Sequence, residues 1–106
     1  MTSLRIVYIT AKNKKEAKKI GEGLVKARLA ACVNIIGGME SIYRWEGKIE
    51  RAKECVLIVK TRKTLVPPVI KKVKSLHSYS CPCIISLPIS EGNKGYLKWI
   101  EGETKI

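Results

Sequence analysis

The sequence predicts an α+β domain built on one antiparallel sheet, with helices on one face and a long hairpin inside the sheet. Three observations carry that prediction. Strand-like and helix-period segments follow one another as β-α-β-β-α-β, with one further helix at the end. The two middle strands run well past the usual ~5–6 residues and meet at a turn over Glu46-Gly47-Lys48. At 106 residues the chain has the length of one domain, residues 1–106, with no linker, repeat or low-complexity stretch to divide it.

Each element has a local reason. Residues 4–10 hold Ile6, Val7, Tyr8 and Ile9 in one run of β-formers. Asn13 then reads as an N-cap, with Glu16 three residues later completing a capping-box start. The helix is expected to reach about Leu29, with Ala17, Ile20, Leu24, Ala27 and Ala31 as its buried stripe. Residues 32–36 form a strand that Gly37-Gly38 interrupts as a bulge or bend, and residues 41–46 continue it. Residues 49–61 return. Their end, Cys55-Val56-Leu57-Ile58-Val59, is a continuous apolar run that suits a central strand covered on both faces. Pro67-Pro68 opens a second helix, where a missing N–H costs little, and Val69, Ile70, Val73 and Leu76 line its apolar side. Residues 83–89 form the last core strand, and Pro88 inside it calls for an edge position or a bulge. Gly92-Asn93 turns into a closing helix that carries Tyr96, Leu97, Trp99 and Ile100. This order is the ferredoxin-like, split βαβ pattern. One face of such a sheet stays open and half apolar, and the overlong strands need cover that a second subunit would provide.

Composition narrows the function classes. With 21 Lys+Arg against 9 acids the formal net charge is +12, and every acid is Glu. A basic balance suits polyanions, but the Lys-rich helices carry no interleaved aromatics on which bases would stack, so nucleic acid is not the expected partner. A Lys/Glu-rich surface is also a thermophile habit, so a thermostable protein is expected. No apolar run approaches the ~20 residues of a membrane helix. The first five residues lack a basic start and a long apolar stretch, and the expectation is a cytoplasmic protein with no membrane partner. Cys32 and Cys55 sit in apolar strand contexts and read as small buried hydrophobes; without a secretion signal, reduced thiols are the default.

Catalysis is poorly supplied. Without Asp, a Ser-His-Asp triad is out of reach, and the nucleophile elbow, the P-loop and the dinucleotide fingerprint are absent. The chain is therefore expected not to be an enzyme. The one ligand-like cluster is His77-Ser78-Tyr79-Ser80-Cys81-Pro82-Cys83, where an imidazole and two thiols are soft donors suited to Cu(I), Zn²⁺ or Hg²⁺. Cys81 and Cys83 are two apart and would share one side of a strand. The competing reading makes His77 a helix C-cap and both cysteines ordinary strand residues.

The blocks Val7-Tyr8-Ile9-Thr10-Ala11, Ala30-Ala31-Cys32-Val33-Asn34-Ile35-Ile36, the run from Ser41 through Tyr43 and Trp45 to Arg51, His77-Ser78-Tyr79-Ser80-Cys81-Pro82 and Tyr96-Leu97-Lys98-Trp99-Ile100 stand in one order. Together they resemble the CutA family, the divalent-cation-tolerance proteins, over nearly the whole chain. The resemblance implies a homotrimer built by the extended hairpins, copper tolerance and divalent-metal binding, with His at the position of His77. It does not carry every proposed ligand over. Leu76 stands where a second His is found, Ile9 where some members have a thiol, and Pro82-Cys83 where Pro-Glu is typical. Cys81 and Cys83 rest on donor chemistry alone, and they point to a softer metal preference, copper included, with no metal needed for folding.

Tyr43, Trp45, Lys60 and Tyr79 match recurrent family positions and would meet in a pocket between subunits. Lys60, beside Thr61 and Arg62, would make that pocket receptive to anions, as in PII-type signalling trimers. The leading expectation is a non-catalytic, metal-binding homotrimer with His77, Cys81 and Cys83 as ligands. A small-ligand, anion-binding signalling trimer and a basic nucleic-acid-binding module are the alternatives.

Overall fold

The computed structural model describes residues 3–105. Met1, Thr2 and Ile106 lie outside them, and with them part of the reading of the N-terminus and the outer limits of the 1–106 domain. The chain runs β1 (Leu4–Ala11), α1 (Lys14–Lys26), β2 (Cys32–Trp45), β3 (Lys48–Arg62), a 3-10 turn (Lys63–Leu65), α2 (Val66–Leu76), β4 (Ile84–Pro88) and α3 (Lys94–Glu103). The sheet order is β2-β3-β1-β4 and every pairing is antiparallel. The expected α+β architecture is present, long hairpin and closing helix included.

Alternation along the central strands sends Val7, Ile9, Leu57 and Val59 to one face, where α1 presents Ala17, Ile20 and Leu24 and α2 presents Val69 and Val73; all are fully buried. Each such aliphatic side chain contributes about 1.5–3 kcal/mol relative to exposure. Thr61 sits among them because its hydroxyl donates to Leu29 O at 2.6 Å. Pro88 ends β4, which is an edge strand, so its missing N–H breaks no ladder.

The capping of α1 differs in detail from the sequence pattern. Asn13 Oδ1 accepts from Glu16 N at 2.9 Å, but Glu16 Oε1 reaches past Asn13 to accept from Lys12 N at 3.1 Å. The helix also ends at Lys26 instead of near Leu29. Arg28 stands at φ 58, in the left-handed region, while Leu29 N bonds Leu24 O and Arg28 N bonds Val25 O, each at 3.0 Å. That is a Schellman ending with Arg where Gly is usual. The Arg28 side chain is tied to Gly102 O at 3.0 Å, and its own carbonyl accepts from Lys105 N. Two smaller corrections concern cysteines: Cys83 precedes β4, and Cys32 is only half-buried, on the face opposite the helices.

α3 packs at the end of that opposite face. Ile100 is fully buried, Arg62 donates from Nε to Thr104 Oγ1 at 2.9 Å, and Arg62 Nη2 donates to Glu101 O. The other end of the face is left to the hairpin and to the loop after α2.

β2 carries a bulge between Ile36 and Met39, where Gly38 takes φ +74 and a Cβ would meet no atom within 4 Å. Substitution of Gly38 by Ala therefore isolates the backbone cost of a left-handed residue. Gly38→Ala is expected to lower stability by about 1 kcal/mol in chemical denaturation; an unchanged midpoint would show that the bulge relaxes freely.

Candidate functional site

The bulge decides what the hairpin shows. Before it, Cys32, Asn34 and Ile36 lie opposite Lys60, Ile58 and Val56. After it, Met39, Ser41, Tyr43 and Trp45 lie opposite Glu54, Ala52, Glu50 and Lys48. Side chains alternate along a strand, so the extra residue swaps odd for even positions and brings Tyr43 and Trp45 onto the face away from the helices. The turn that closes the hairpin places Glu46 at φ 50 and Gly47 at φ 77, the two-residue geometry that matches strand twist.

A second wall comes from the loop after α2, and His77 holds it. The imidazole is fully buried. Nε2 lies 2.7 Å from Thr10 O, and since a carbonyl only accepts, Nε2 carries the proton. Nδ1 accepts from Tyr79 N at 3.1 Å. Glu16 closes the junction by accepting from Ser78 N at 2.9 Å, with its other oxygen 3.8 Å from His77 Nδ1. Burial by itself raises the Glu16 pKa. Hydrogen bonds from Ser78 and Lys12, and last the influence of the neighbouring His77, outweigh it and hold the carboxyl below its ordinary range.

Between these walls lies a cavity of about 480 Å³. Its floor is Tyr8 and Thr10 of β1 and Glu54 of β3; Met39, Ser41, Tyr43 and Trp45 form the hairpin wall; Tyr79, Ser80, Cys81 and Cys83 form the loop wall. Glu54 is 8% exposed and accepts from Tyr79 Oη at 2.9 Å. Burial, then the Glu54 hydrogen bond and charge, push the Tyr79 phenol well above its ordinary value, so it stays a donor. The Cys83 thiol is also pushed up, by burial first and then by Glu54, against a lowering hydrogen bond with Thr10. Glu54 thus sets the potential of the cavity.

The predicted residues separate on this geometry. Tyr43, Trp45, Tyr79, Cys81 and Cys83 share the cavity. His77 stands behind the loop wall with both nitrogens engaged, and among the described residues no three His, Cys, Asp or Glu side chains gather as a set able to hold a metal ion. Within one chain Lys60 does not line this cavity. Register places it beside Cys32, and its Nζ donates to Asn34 Oδ1 and lies 3.8 Å from Cys32 Sγ, toward the α3 end. Sequence reasoning missed Tyr8, Thr10, Met39 and Glu54. The available signal was Glu54 itself, an acid immediately before the apolar run that fills the central strand.

A small antiparallel α+β domain with this hairpin and this loop-walled cavity defines the class. The family model described as CutA1 divalent ion tolerance protein matches residues 5–103, and the chain belongs to that family. The divalent-cation tolerance protein CutA of Thermus thermophilus is 46% identical over 99 residues, which is 93% of this chain and 96% of that protein. The chloroplastic CutA protein of Arabidopsis thaliana is 43% identical over 100 residues, 94% of this chain but 55% of that protein. The chain thus spans little more than half of the plant relative. Among solved structures, the Thermus thermophilus protein superposes with a TM-score of 0.94 at 44% identity, covering 96% of this chain and 99% of that one. The Archaeoglobus fulgidus protein, named a periplasmic divalent cation tolerance protein, gives 0.93 at 44% identity, covering 96% and 99%. No helix among the described residues is long and apolar enough to cross a membrane.

The Glu16 junction makes a pH prediction. A carboxyl whose folded pKa is lowered adds stability that is present above its ordinary range and disappears as pH falls through the folded value. Wild-type denaturation midpoints should drop on acidification, and Glu16→Gln should be less stable by about 1–2 kcal/mol at neutral pH, with the gap closing in acid. A gap constant across pH would show that Glu16 acts through packing alone.

Proposed function

We propose that the chain works as a homotrimer that binds a soft or divalent metal ion, copper foremost, without catalysing a reaction on it, and that Cys81 and Cys83 are its donors. The observation behind this reading is that two thiols line one cavity in a protein of the divalent ion tolerance family. Thiolates favour Cu(I) and other soft ions over hard ones. Cys81 is exposed and Cys83 half-buried, so an ion can approach from one side. The remaining coordination falls to solvent or a neighbouring subunit, since one chain's described residues offer no third gathered donor. Because burial and Glu54 keep the Cys83 proton on, that proton must leave when metal binds, and affinity rises with pH. The setting we assign is the cytoplasm, where thiols stay reduced.

Trimer formation is supported by the apolar side chains left uncovered. Ile42 is 70% exposed and Ile49 58%, both on the long hairpin, while Ile36, Ile85 and Leu87 stand about half exposed on the face away from the helices. Apolar side chains left uncovered on the hairpin and on the open face of the sheet support contact with another chain. His77 keeps a supporting role, positioning the loop that carries both thiols.

Anaerobic Cu(I) titration against a competing chelator checks the donor assignment. The Cys81→Ser/Cys83→Ser protein should bind at least about tenfold more weakly, whereas His77→Gln, which loosens the loop but keeps both thiols, should weaken binding less and lower the denaturation midpoint. Equal affinity in wild type and the double-serine protein would discard the cysteines as donors. Light scattering should give the mass of three chains; the mass of one would discard the trimer.

A further inference from the structure

We propose that the aromatic half of the cavity binds an organic ammonium cation, a primary amine or quaternary ammonium carried on a flat apolar body, with Glu54 as its counter-ion. This goes beyond the metal reading and uses different residues. The chain carries 21 Lys+Arg, yet among the described residues neither type lines the cavity, and Glu54 is its one carboxylate. In a protein of net charge +12, an acidic cavity without a basic lining is set apart from its surface.

The position of Glu54 is built. It is more than nine-tenths buried at the cavity floor, and Oε2 is fixed by the Tyr79 hydroxyl at 2.9 Å. Among the described residues no cation neutralises it and Oε1 takes no protein hydrogen bond. Since no fully buried side-chain oxygen among the described residues lacks a partner, Oε1 opens to the cavity, where a charged N–H donor or an alkylammonium can meet it.

The walls supply the second half of the recognition. Tyr8, Tyr43, Trp45 and Tyr79 bring four aromatic rings to one cavity in a chain that has only four Tyr and two Trp. Two of the four are pinned: Tyr8 Oη donates to Met39 Sδ at 3.5 Å, and the Tyr79 ring lies 4.7 Å from the His77 ring. Ring faces attract cations through their quadrupole, most strongly for Trp, and a polarisable thioether beside them does not oppose this. A strongly hydrated inorganic ion gains little from ring faces; an ammonium with alkyl or aryl substituents gains from the rings and the carboxylate together. An anion meets Glu54 and is repelled. The volume, about 480 Å³, exceeds what a bare ammonium fills and lies in the range of small-molecule sites, which sets the requirement for an apolar body.

The test uses the full-length protein in its native assembly, stripped of metal with EDTA. Phenyltrimethylammonium and benzoate, bodies of similar size and opposite charge, are titrated separately by calorimetry. The cation should bind saturably and benzoate should not at the same concentrations. Glu54→Gln, which keeps the acceptor for Tyr79, should weaken the cation by about tenfold or more, and Trp45→Leu, at a half-exposed position, by a comparable factor. Binding should persist in Cys81→Ser/Cys83→Ser protein, which separates this site from the thiol donors. Benzoate binding as tightly as the cation, an affinity unchanged in Glu54→Gln, or no cation binding in a correctly assembled wild type would each overturn the proposal.

Discussion

The buried His77 junction is the contact on which the cavity depends. One imidazole joins the end of β1, through Thr10 O, to the loop after α2, through Tyr79 N, while Glu16 brings in the start of α1. Every polar atom in that knot has a partner, and no fully buried side-chain nitrogen or oxygen among the described residues is left without one. A satisfied network costs little to bury, whereas removal of one member leaves the others unpaired in a low dielectric, at about 1–3 kcal/mol each. The neutral tautomer, with Nε2 as donor and Nδ1 as acceptor, fits both contacts at once. Both ring nitrogens of His77 are occupied in this arrangement, although imidazole is a good metal donor in the abstract. Its contribution is indirect: Tyr79, Cys81 and Cys83 face the sheet because the loop is anchored at 77.

The fold was legible to the extent that it rests on local signals. Period-2 and period-3.6 runs, Asn13, Pro67-Pro68 and Gly47 mark elements whose causes lie within a few residues. The end of α1 was not legible, because the left-handed position is held by Arg28, whose side chain is tied to Gly102 across the molecule. A distant contact stands in for the glycine that sequence reading looks for. The site was legible in part for a related reason. Gly37-Gly38 announced a bulge, and Tyr43 and Trp45 were correctly placed together. The bulge also decides facing, which no local signal reveals: one extra residue moves the odd positions of β2 to the face where Glu54 sits. Within one chain Lys60 stands apart from the aromatics, because strand register sets it toward the other end of the face, with Cys32 and Asn34.

Charge is distributed against its own average. α1 carries exposed lysines on its outer side and buries Ala17, Ile20 and Leu24 on the other, so much of the positive charge is spent on a solvated helix surface. The opposite face of the sheet has a different character. There the charge nearest the cavity is a buried carboxylate, and its influence reaches both the Tyr79 phenol and the Cys83 thiol. Net charge therefore says little about what this cavity accepts, because a site reads its own lining at distances of a few ångström while the surface charge is screened by salt within about 8–10 Å.

Two kinds of cation are thus proposed for one cavity. As the proposed donors, the thiols would select by softness and give up protons, which would tie affinity to pH and to redox state. The carboxylate and rings select by charge and shape, and bind without proton release or any change in oxidation state. Glu54 links the two. By holding the Cys83 proton in place it disfavours the thiolate, yet a cation that neutralises Glu54 relieves that effect and makes the thiol easier to ionise. Occupation of the aromatic half would then favour thiolate formation at the loop wall, while bulk in the cavity would hinder access to it. The electrostatic and steric contributions oppose one another, and the shape of the bound cation decides which prevails.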